Sequence, residues 1–133
     1  MFVLDASVAI AAMLVEERTP EARTILRTAL DGVIVPSLWH LEVGNILLRA
    51  ERRGTIRADE RIAHMADLAA LPMTVDHEGP IQAWGATTTL ALRHRLTLYD
   101  ATYLELALRH RLRLATFDAA LARAAADEGV PRV

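Results

Sequence analysis

The chain has 133 residues, of which 53% are hydrophobic, and a net charge of −2, a composition that predicts one folded domain and excludes a disordered chain. It contains no cysteine, and all 15 basic residues are arginine, which excludes disulfides, cysteine-bound zinc and the lysine of a P-loop or Schiff base. No apolar run approaches the roughly 18 residues that cross a bilayer, so we expect no membrane association and a cytoplasmic location.

The first third of the chain predicts a strand followed by two helices. "FVLD" is a short apolar run with Asp5 at its carboxyl end, and the alanine-rich "ASVAIAAMLVEE" predicts a helix rather than part of a signal peptide. A second helix starts at Thr19-Pro20, with Thr19 as its cap, and ends at Asp31-Gly32. Its buried stripe is expected to consist of Ile25, Leu26 and Leu30.

The middle third predicts two more strands, with two helices between them. "VIVP" reads as a buried strand, and the segment from Leu38 to Arg53 reads as a strong helix that Gly54 ends. The apolar positions of this helix include Leu41, Ile46 and Leu48. A further helix covers about Ala58 to Ala70, and "MTV" is a weak third strand.

The last third contains the phrase "LALRHRL" twice, at 90–96 and 106–112. Each copy is interpreted as the end of a helix, where Arg-His-Arg favours the negative pole of the helix. One long helix is expected from about Gly79 to His94, followed by an extended "LTL" and a helix that Asp100 opens and His110 ends. "RLRLAT" predicts a strand, Asp118 opens a helix through Asp127, and "VPRV" predicts an edge strand.

Strands that alternate with helices indicate an α/β protein with a mostly parallel central sheet of about four to five strands, covered by helices on both faces. No stretch of sequence resembles a linker, so residues 1–133 are expected to form a single domain.

Four carboxylates carry the functional signal. Ligands of open α/β sheets bind beyond the carboxyl ends of the strands, where Asp5, Asp100 and Asp118 are all expected. Each aspartate alone could be a helix cap, since aspartate is favoured there. Glu42 is harder to explain in this way, because it lies in a helix that otherwise looks buried, and burial of an unpaired charge is costly.

Four converging carboxylates would repel one another, and a divalent cation would relieve the repulsion. Oxygen ligands favour Mg²⁺, or Mn²⁺ as a substitute, over zinc. Ser7 and Thr116 lie two residues from Asp5 and Asp118, where their hydroxyls could bond ligand carboxylates or metal waters. Ordinary bonding to the local backbone is an equal alternative for both hydroxyls.

Four segments resemble the acidic motifs of PIN domains, and more narrowly those of VapC-type toxins of type II toxin–antitoxin pairs: "VLDASVAIAAM", "LWHLEVGNILLRAERRG", "LTLYDATYLELAL" and "LATFDAALARAA". The resemblance implies a three-layer α/β/α sandwich and a metal-dependent endoribonuclease that halts translation. It also implies a cognate antitoxin and a homodimer. The catalytic and metal-binding acids it implies are Asp5, Glu42, Asp100 and Asp118, with Thr116 and Asn45 beside them.

The expected reaction is hydrolysis of an RNA phosphodiester by a metal-activated water, with Asp100 and Asp118 both capping helices and facing the metal. A non-catalytic PIN-fold module that binds RNA or protein is an alternative. A phosphotransfer domain with Asp5 as acceptor is disfavoured by the lack of lysine.

Two surfaces are assigned by inference from side-chain type. Five arginines could contact RNA phosphates, or they could simply be solvated charges at the ends of helices and strands. They are Arg93, Arg95, Arg109, Arg111 and Arg113. An antitoxin helix could dock on apolar residues of the first helix, or these could pack against the sheet: Val8, Ile10, Met13 and Leu14.

Overall fold

A parallel sheet of four strands lies between two layers of helices in the computed structural model, which describes residues 1–133. The strands are β1 (Phe2–Leu4), β2 (Val33–Pro36), β3 (Met73–Asp76) and β4 (Leu114–Ala115). Their order in the sheet is β3-β2-β1-β4, and every pair is parallel. The predicted α/β class and parallel sheet are therefore confirmed.

The central strand β1 pairs with β2 on one side and with β4, from the far end of the chain, on the other. Phe2 is opposite Val33, and Val3 is opposite Leu114. All three residues of β1 are buried, as expected for a parallel strand covered on both faces. The "RLRLAT" strand is shorter than expected, and "VPRV" contributes only a single bridge, between Arg132 and Leu114.

Eight α-helices surround the sheet: α1 (Ala6–Met13), α2 (Thr19–Arg27), α3 (Trp39–Arg52), α4 (Ala58–Ala69), α5 (Gly79–Gln82), α6 (Ala86–His94), α7 (Leu98–His110) and α8 (Ala119–Asp127). Helix α1 contacts α2 and α3, and α3 contacts α4. Helix α7 lies against β1 and β2 and contacts α6 and α8. None of these helices combines the length and the apolar character needed to cross a membrane.

Two helix boundaries differ from those expected. The single helix from Gly79 to His94 is in fact two, because the chain leaves helical geometry at Gly85, whose φ and ψ are −114° and −106°. The "LTL" segment forms no strand: Thr97 is extended, and Leu98 already belongs to α7. Thr97 caps α7 by accepting a hydrogen bond of 3.1 Å from the backbone N–H of Asp100, so α7 starts before Asp100.

The start and end of α2 also differ from expectation. Thr19 is the first helical residue rather than the cap, and its hydroxyl donates to the carbonyl of Ala11 at 2.7 Å, which joins α2 to α1. Leu30 is 85% exposed rather than buried. The chain tightens into a 3₁₀ turn over Thr28–Asp31, whose shorter period turns Leu30 outward and buries Ala29.

In α3, Leu41 lies two residues from both Trp39 and Val43, off the buried face of the helix, and is 77% exposed. The buried positions recur at the spacing of one helix face: Trp39, Val43, Leu47 and Ala50.

Most of the apolar surface of α1 packs within the protein. Val8 and Ile10 belong to the hydrophobic core, and Met13 and Leu14 pack against it partly buried. The expectation that an antitoxin helix docks on these residues is therefore wrong for Val8 and Ile10, and docking on the exposed parts of Met13 and Leu14 stays a prediction.

Both copies of "LALRHRL" end a helix in the same way. Arg95 and Arg111 are left-handed, each with φ of 54°, and the next residue bonds back to the helix. The N–H of Leu96 donates to the carbonyl of Ala91, and that of Leu112 donates to the carbonyl of Ala107, both at 3.0 Å. The repeated phrase is thus a repeated helix ending.

Arg109 forms the largest ion-pair cluster in the protein. Its guanidinium donates two hydrogen bonds to Asp76, at 2.9 and 2.8 Å, and two to Glu105, at 2.8 and 3.0 Å. The side chains of Asp76 and Glu105 are only 5% and 6% exposed. This cluster joins α7 to the end of β3 and gives two buried carboxylates a shared cation.

We expect Arg109→Met to lower the free energy of unfolding by about 3 kcal/mol at pH 7, because it leaves two buried carboxylates without a cation. Arg109 holds the pKa of Asp76 below its ordinary value of 3.8, so this stabilisation is present above that pH and is lost as pH falls through the lowered pKa. Urea denaturation at pH 7 and at a series of pH values down to about 2 measures both effects, since the loss falls between pH 3.8 and the lowered pKa. The exposed Arg123→Met is the control, and equal stability of the two variants at pH 7 would contradict the assignment.

Candidate active site

Asp5 is held where the first and last parts of the chain meet. Its backbone N–H donates to the carbonyl of Ala115 at 3.0 Å, which extends the β1–β4 pairing by one residue. The side chain is buried and accepts hydrogen bonds from Ser7 at 2.5 Å and from Thr116 at 2.7 Å. Both hydroxyls donate to Oδ2, so Oδ1 is left without a side-chain donor.

The same two hydroxyls also organise the segment after β4. Thr116 accepts a hydrogen bond of 3.0 Å from the backbone N–H of Asp118, and Ser7 accepts one of 2.9 Å from the N–H of Phe117. Asp118 in turn caps α8, because its Oδ1 accepts from the N–H of Leu121 at 2.8 Å. The loop that carries Asp118 is therefore fixed to Asp5 through two side-chain hydroxyls.

The other two acids come from the first turns of two helices. Glu42 is in the first turn of α3, and Asp100 is in the first turn of α7. The expectation that Asp100 caps its helix is wrong, because Thr97 does so. The fully buried Tyr103 donates its hydroxyl to Glu42 at 3.1 Å and so connects α7 to α3.

Tyr103 is a site residue that the sequence analysis missed. A signal was present, since Tyr103 follows Asp100 by three residues and therefore lies on the same helical face. Burial and the charges of Asp5 and Glu42 raise the pKa of Tyr103, so its hydroxyl keeps its proton and acts as a donor.

The four acids lie within electrostatic reach of one another. Burial raises the pKa of Asp5, and the charge of Asp118 raises it further although the two hydroxyls oppose this. Burial, followed by the charges of Asp118 and Asp5, raises the pKa of Asp100. Burial raises the pKa of Glu42 to about 7, with smaller contributions from the charges of Asp5 and Asp100. The structure thus brings together the four acids that the sequence singled out.

None of these four carboxylates has a basic partner. No arginine or histidine forms an ion pair with them, whereas the buried Asp76 and Glu105 share Arg109, and Glu128 pairs with Arg93. The four acids do not form a complete metal-binding site in this structure, because no three acidic or histidine side chains lie close enough together to bind one ion directly. Like charges with no cation between them are expected to stay apart.

Asn45 lies on the same face of α3 as Glu42. Both residues line an open cleft of about 490 Å³, together with His40 and Leu41. This placement agrees with the spacing of the two residues in the sequence. A role for Asn45 beside the acids stays a prediction.

The five arginines suggested for RNA contact are spread over the molecule. Arg93 pairs with Glu128 at 2.5 Å, and Arg109 is fully engaged with carboxylates. Arg95 and Arg111 are exposed left-handed residues at helix ends. The carbonyl of Arg113 accepts from the N–H of Val3, which places Arg113 at the amino ends of the strands, opposite to Asp5. The structure therefore does not gather the five around the acids, and RNA contact by them stays a prediction.

A different arginine contacts the segment that carries Asp118. The guanidinium carbon of Arg18 is 3.6 Å from the centre of the Phe117 ring, and Phe117 is flanked by Thr116 and Asp118. Nothing local in the sequence indicates this contact, because Arg18 and Phe117 are far apart along the chain and meet only in the folded protein.

The chain is similar to proteins of one family over almost its whole length. A family model for the PIN domain matches residues 2–127. Ribonuclease VapC3 of Pyrobaculum aerophilum is 32% identical over 120 residues, which cover 90% of this chain and 91% of that protein.

Solved structures share the fold. VapC20 of Mycobacterium tuberculosis, a sarcin-ricin loop cleaving toxin, superposes with a TM-score of 0.69 at 17% identity, covering 93% of this chain and 95% of that one. A chain in a toxin–antitoxin complex from Klebsiella pneumoniae gives a TM-score of 0.61 at 18% identity, covering 89% of this chain and 87% of that one. Together with the sheet order, these similarities confirm the three-layer fold.

We expect Glu42→Gln to stabilise the metal-free protein at pH 8 but not at pH 4.5. A pKa raised from 4.5 to about 7 means that the folded state keeps a proton that the unfolded chain has lost, so stability falls as pH rises through this range. Because Glu42 is only half-buried, solvent screening reduces the expected gain at pH 8 to about 1 kcal/mol. Glutamine can still accept the hydrogen bond from Tyr103.

Urea denaturation in EDTA at the two pH values measures this gain, with the exposed Glu17→Gln as control. Destabilisation by Glu42→Gln at pH 8 would show that the charge of Glu42 is already compensated in the folded protein.

Proposed function

The chain belongs to the PIN-domain family, and we propose that it is a metal-dependent endoribonuclease, the toxin of a VapBC-like type II toxin–antitoxin pair. The observation that supports this function best is the set of four coupled carboxylates without any basic partner, at the edge of a parallel sheet where such folds bind ligands. The similarity to ribonuclease VapC3 over nine-tenths of the chain supports the same reaction.

The donor set fits Mg²⁺, with Mn²⁺ as a substitute. The available ligands are carboxylate oxygens, which these hard cations prefer, and no histidine pairs with any of the four acids. Oδ1 of Asp5, together with oxygens of Glu42, Asp100 and Asp118, would hold the ion directly or through water, since Mg²⁺ keeps several of its waters. A bound divalent cation would compensate the clustered negative charge and polarise the attacking water.

The side chains of the protein have distinct tasks in this proposal. Ser7 and Thr116 hold Oδ2 of Asp5, so that Oδ1 keeps no side-chain donor and would be the oxygen offered to an ion. Tyr103 fixes one oxygen of Glu42 and leaves the other free. The cap that Asp118 forms on α8 fixes its own orientation while the N-terminus of the helix favours negative charge, including that of a phosphate.

We expect Asp100→Asn to abolish metal-dependent RNA cleavage while the protein stays folded. Cleavage of total RNA by the wild type should require Mg²⁺ or Mn²⁺ and stop in EDTA, and the variant should be slower by more than about 100-fold, the most that loss of a partner around a metal ligand usually costs. Mn²⁺ at 100 times its Kd should stabilise the wild type by about 2.7 kcal/mol and the variant by less.

Asp67→Asn provides a matched control, because Asp67 is an exposed acid on α4. Full activity of folded Asp100→Asn would contradict the assignment. Calorimetric Mn²⁺ binding by a wild type that cleaves no RNA would instead identify a non-catalytic member of the family.

The toxin assignment includes an antitoxin and a homodimer, which we propose on the resemblance to a toxin–antitoxin complex and on exposed apolar surface. The exposed fractions of Ile81, Trp84 and Leu92 are 78%, 92% and 78%, so association could remove them from water.

Co-expression with the neighbouring gene should yield a stable complex that no longer cleaves RNA. Light scattering of the free chain should give twice the mass of one chain, and Trp84→Asp should give the mass of a monomer. A monomeric wild type that co-purifies with no small partner would contradict both proposals.

A further inference from the structure

Arg18 and Phe117 form a pair that none of the roles above explains. Phe117 lies between Thr116 and Asp118, and its backbone N–H is bonded to Ser7, so its position is fixed by the same hydroxyls that hold Asp5. The guanidinium carbon of Arg18 is 3.6 Å from the centre of the ring. An N–H pointing into the ring would hold this carbon farther away, so the guanidinium plane lies face to face with the ring.

Glu21 fixes the same guanidinium from its edge. Nε of Arg18 donates to Oε2 at 3.1 Å, and Nη2 donates to Oε1 at 3.0 Å. The side chain of Arg18 therefore has one face on Phe117 and one edge on Glu21, while 38% of its surface remains exposed. What remains open is a flat guanidinium surface stacked on the residue that precedes Asp118.

The pairing with Glu21 decides what this surface can bind. A phosphate is recognised best by the two parallel N–H donors of an arginine fork, and Glu21 occupies the Nε–Nη2 fork of Arg18 and offsets its charge, so that only the N–H groups of Nη1 and the second N–H of Nη2 remain for an anion. A nucleobase needs only the open face, because unpaired RNA bases stack on guanidinium planes and aromatic rings. Stacking also avoids the repulsion that four carboxylates impose on a polyanionic backbone.

We propose that Arg18, held in plane by the ring of Phe117, is a stacking platform for an unpaired base of the RNA next to the scissile bond. This inference rests on the proposed function, and it makes the site selective for RNA whose bases are unstacked, such as single strands and loops. Arg18 touches none of the four acids, so its contact is with the nucleotide that flanks the reacting phosphate.

RNA binding without turnover tests the platform. In the Asp100→Asn background, fluorescence anisotropy measures the Kd for a labelled single-stranded RNA oligonucleotide and for the duplex of the same sequence. Arg18→Ala and Arg18→Lys should both weaken binding of the single strand about tenfold, since stacking of one base has this order of effect and lysine has no plane to offer. Arg27→Ala, on the same helix but without an aromatic partner, should leave the Kd unchanged.

Two further measurements separate stacking from a phosphate contact. The slope of log Kd against log salt should be the same for Arg18→Ala and its parent. In a series of RNAs that each lack one base, the RNA that lacks the stacked base should bind the parent and Arg18→Ala with the same Kd. Restoration by Arg18→Lys, or a slope smaller by about 0.7 in Arg18→Ala, would show a phosphate contact and overturn the proposal.

Glu21→Ala distinguishes the platform from a structural role of this loop. It keeps the plane of Arg18 on Phe117, so binding should remain within about twofold of the parent, a free-energy change well under that of one stacked base. A loss as large as that of Arg18→Ala would show that a disturbed loop causes the effect and would overturn the platform. Arg18-dependent binding by a wild type that cleaves no RNA would keep the platform and exclude the nuclease.

Discussion

The site depends on the hydrogen bonds that Asp5 accepts from Ser7 and Thr116. These bonds join the end of β1 to the segment after β4, two parts of the chain that meet only because the strands pair in parallel. The same hydroxyls accept backbone N–H groups of Phe117 and Asp118, so each hydroxyl both donates and accepts. Burial of a carboxylate without hydrogen bonds lowers the stability of the fold, and the two hydroxyl donors reduce this cost. The same hydroxyls also fix the position of Asp118.

The protein treats its buried carboxylates in two different ways. Asp76 ends β3 much as Asp5 follows β1, yet Asp76 is bound by Arg109 and has a lowered pKa, whereas Asp5 has no cation and a raised pKa. The arginine therefore marks Asp76 as structural. Repulsion among the uncompensated acids opposes folding, and its persistence at one edge of the sheet is best explained by a ligand of positive charge.

Much of the fold and the identity of the acids could be predicted from the sequence, because apolar runs and helix caps are local signals. The errors arose where small rotations or distant contacts decide the outcome. A 3₁₀ turn rotates Leu30 to the surface, and the threonine cap at Thr97 takes the place expected for Asp100. Tyr103 and Arg18 gain their roles from Glu42 and Phe117, partners from distant parts of the chain.

The repeated "LALRHRL" segment separates what the local sequence determines from what tertiary structure determines. Both copies produce the same left-handed helix ending, at Arg95 and at Arg111, because that geometry is set by bonds within a few residues. After the first copy the chain turns directly into α7, and Asp100 arrives in the first turn of that helix. After the second copy it passes through β4, and Asp118 arrives as a helix cap. Two similar sequence segments therefore each place an aspartate at the same edge of the sheet, one within a first helical turn and one as a helix cap. This difference indicates that the proposed site requires the charge at that position rather than one particular local conformation.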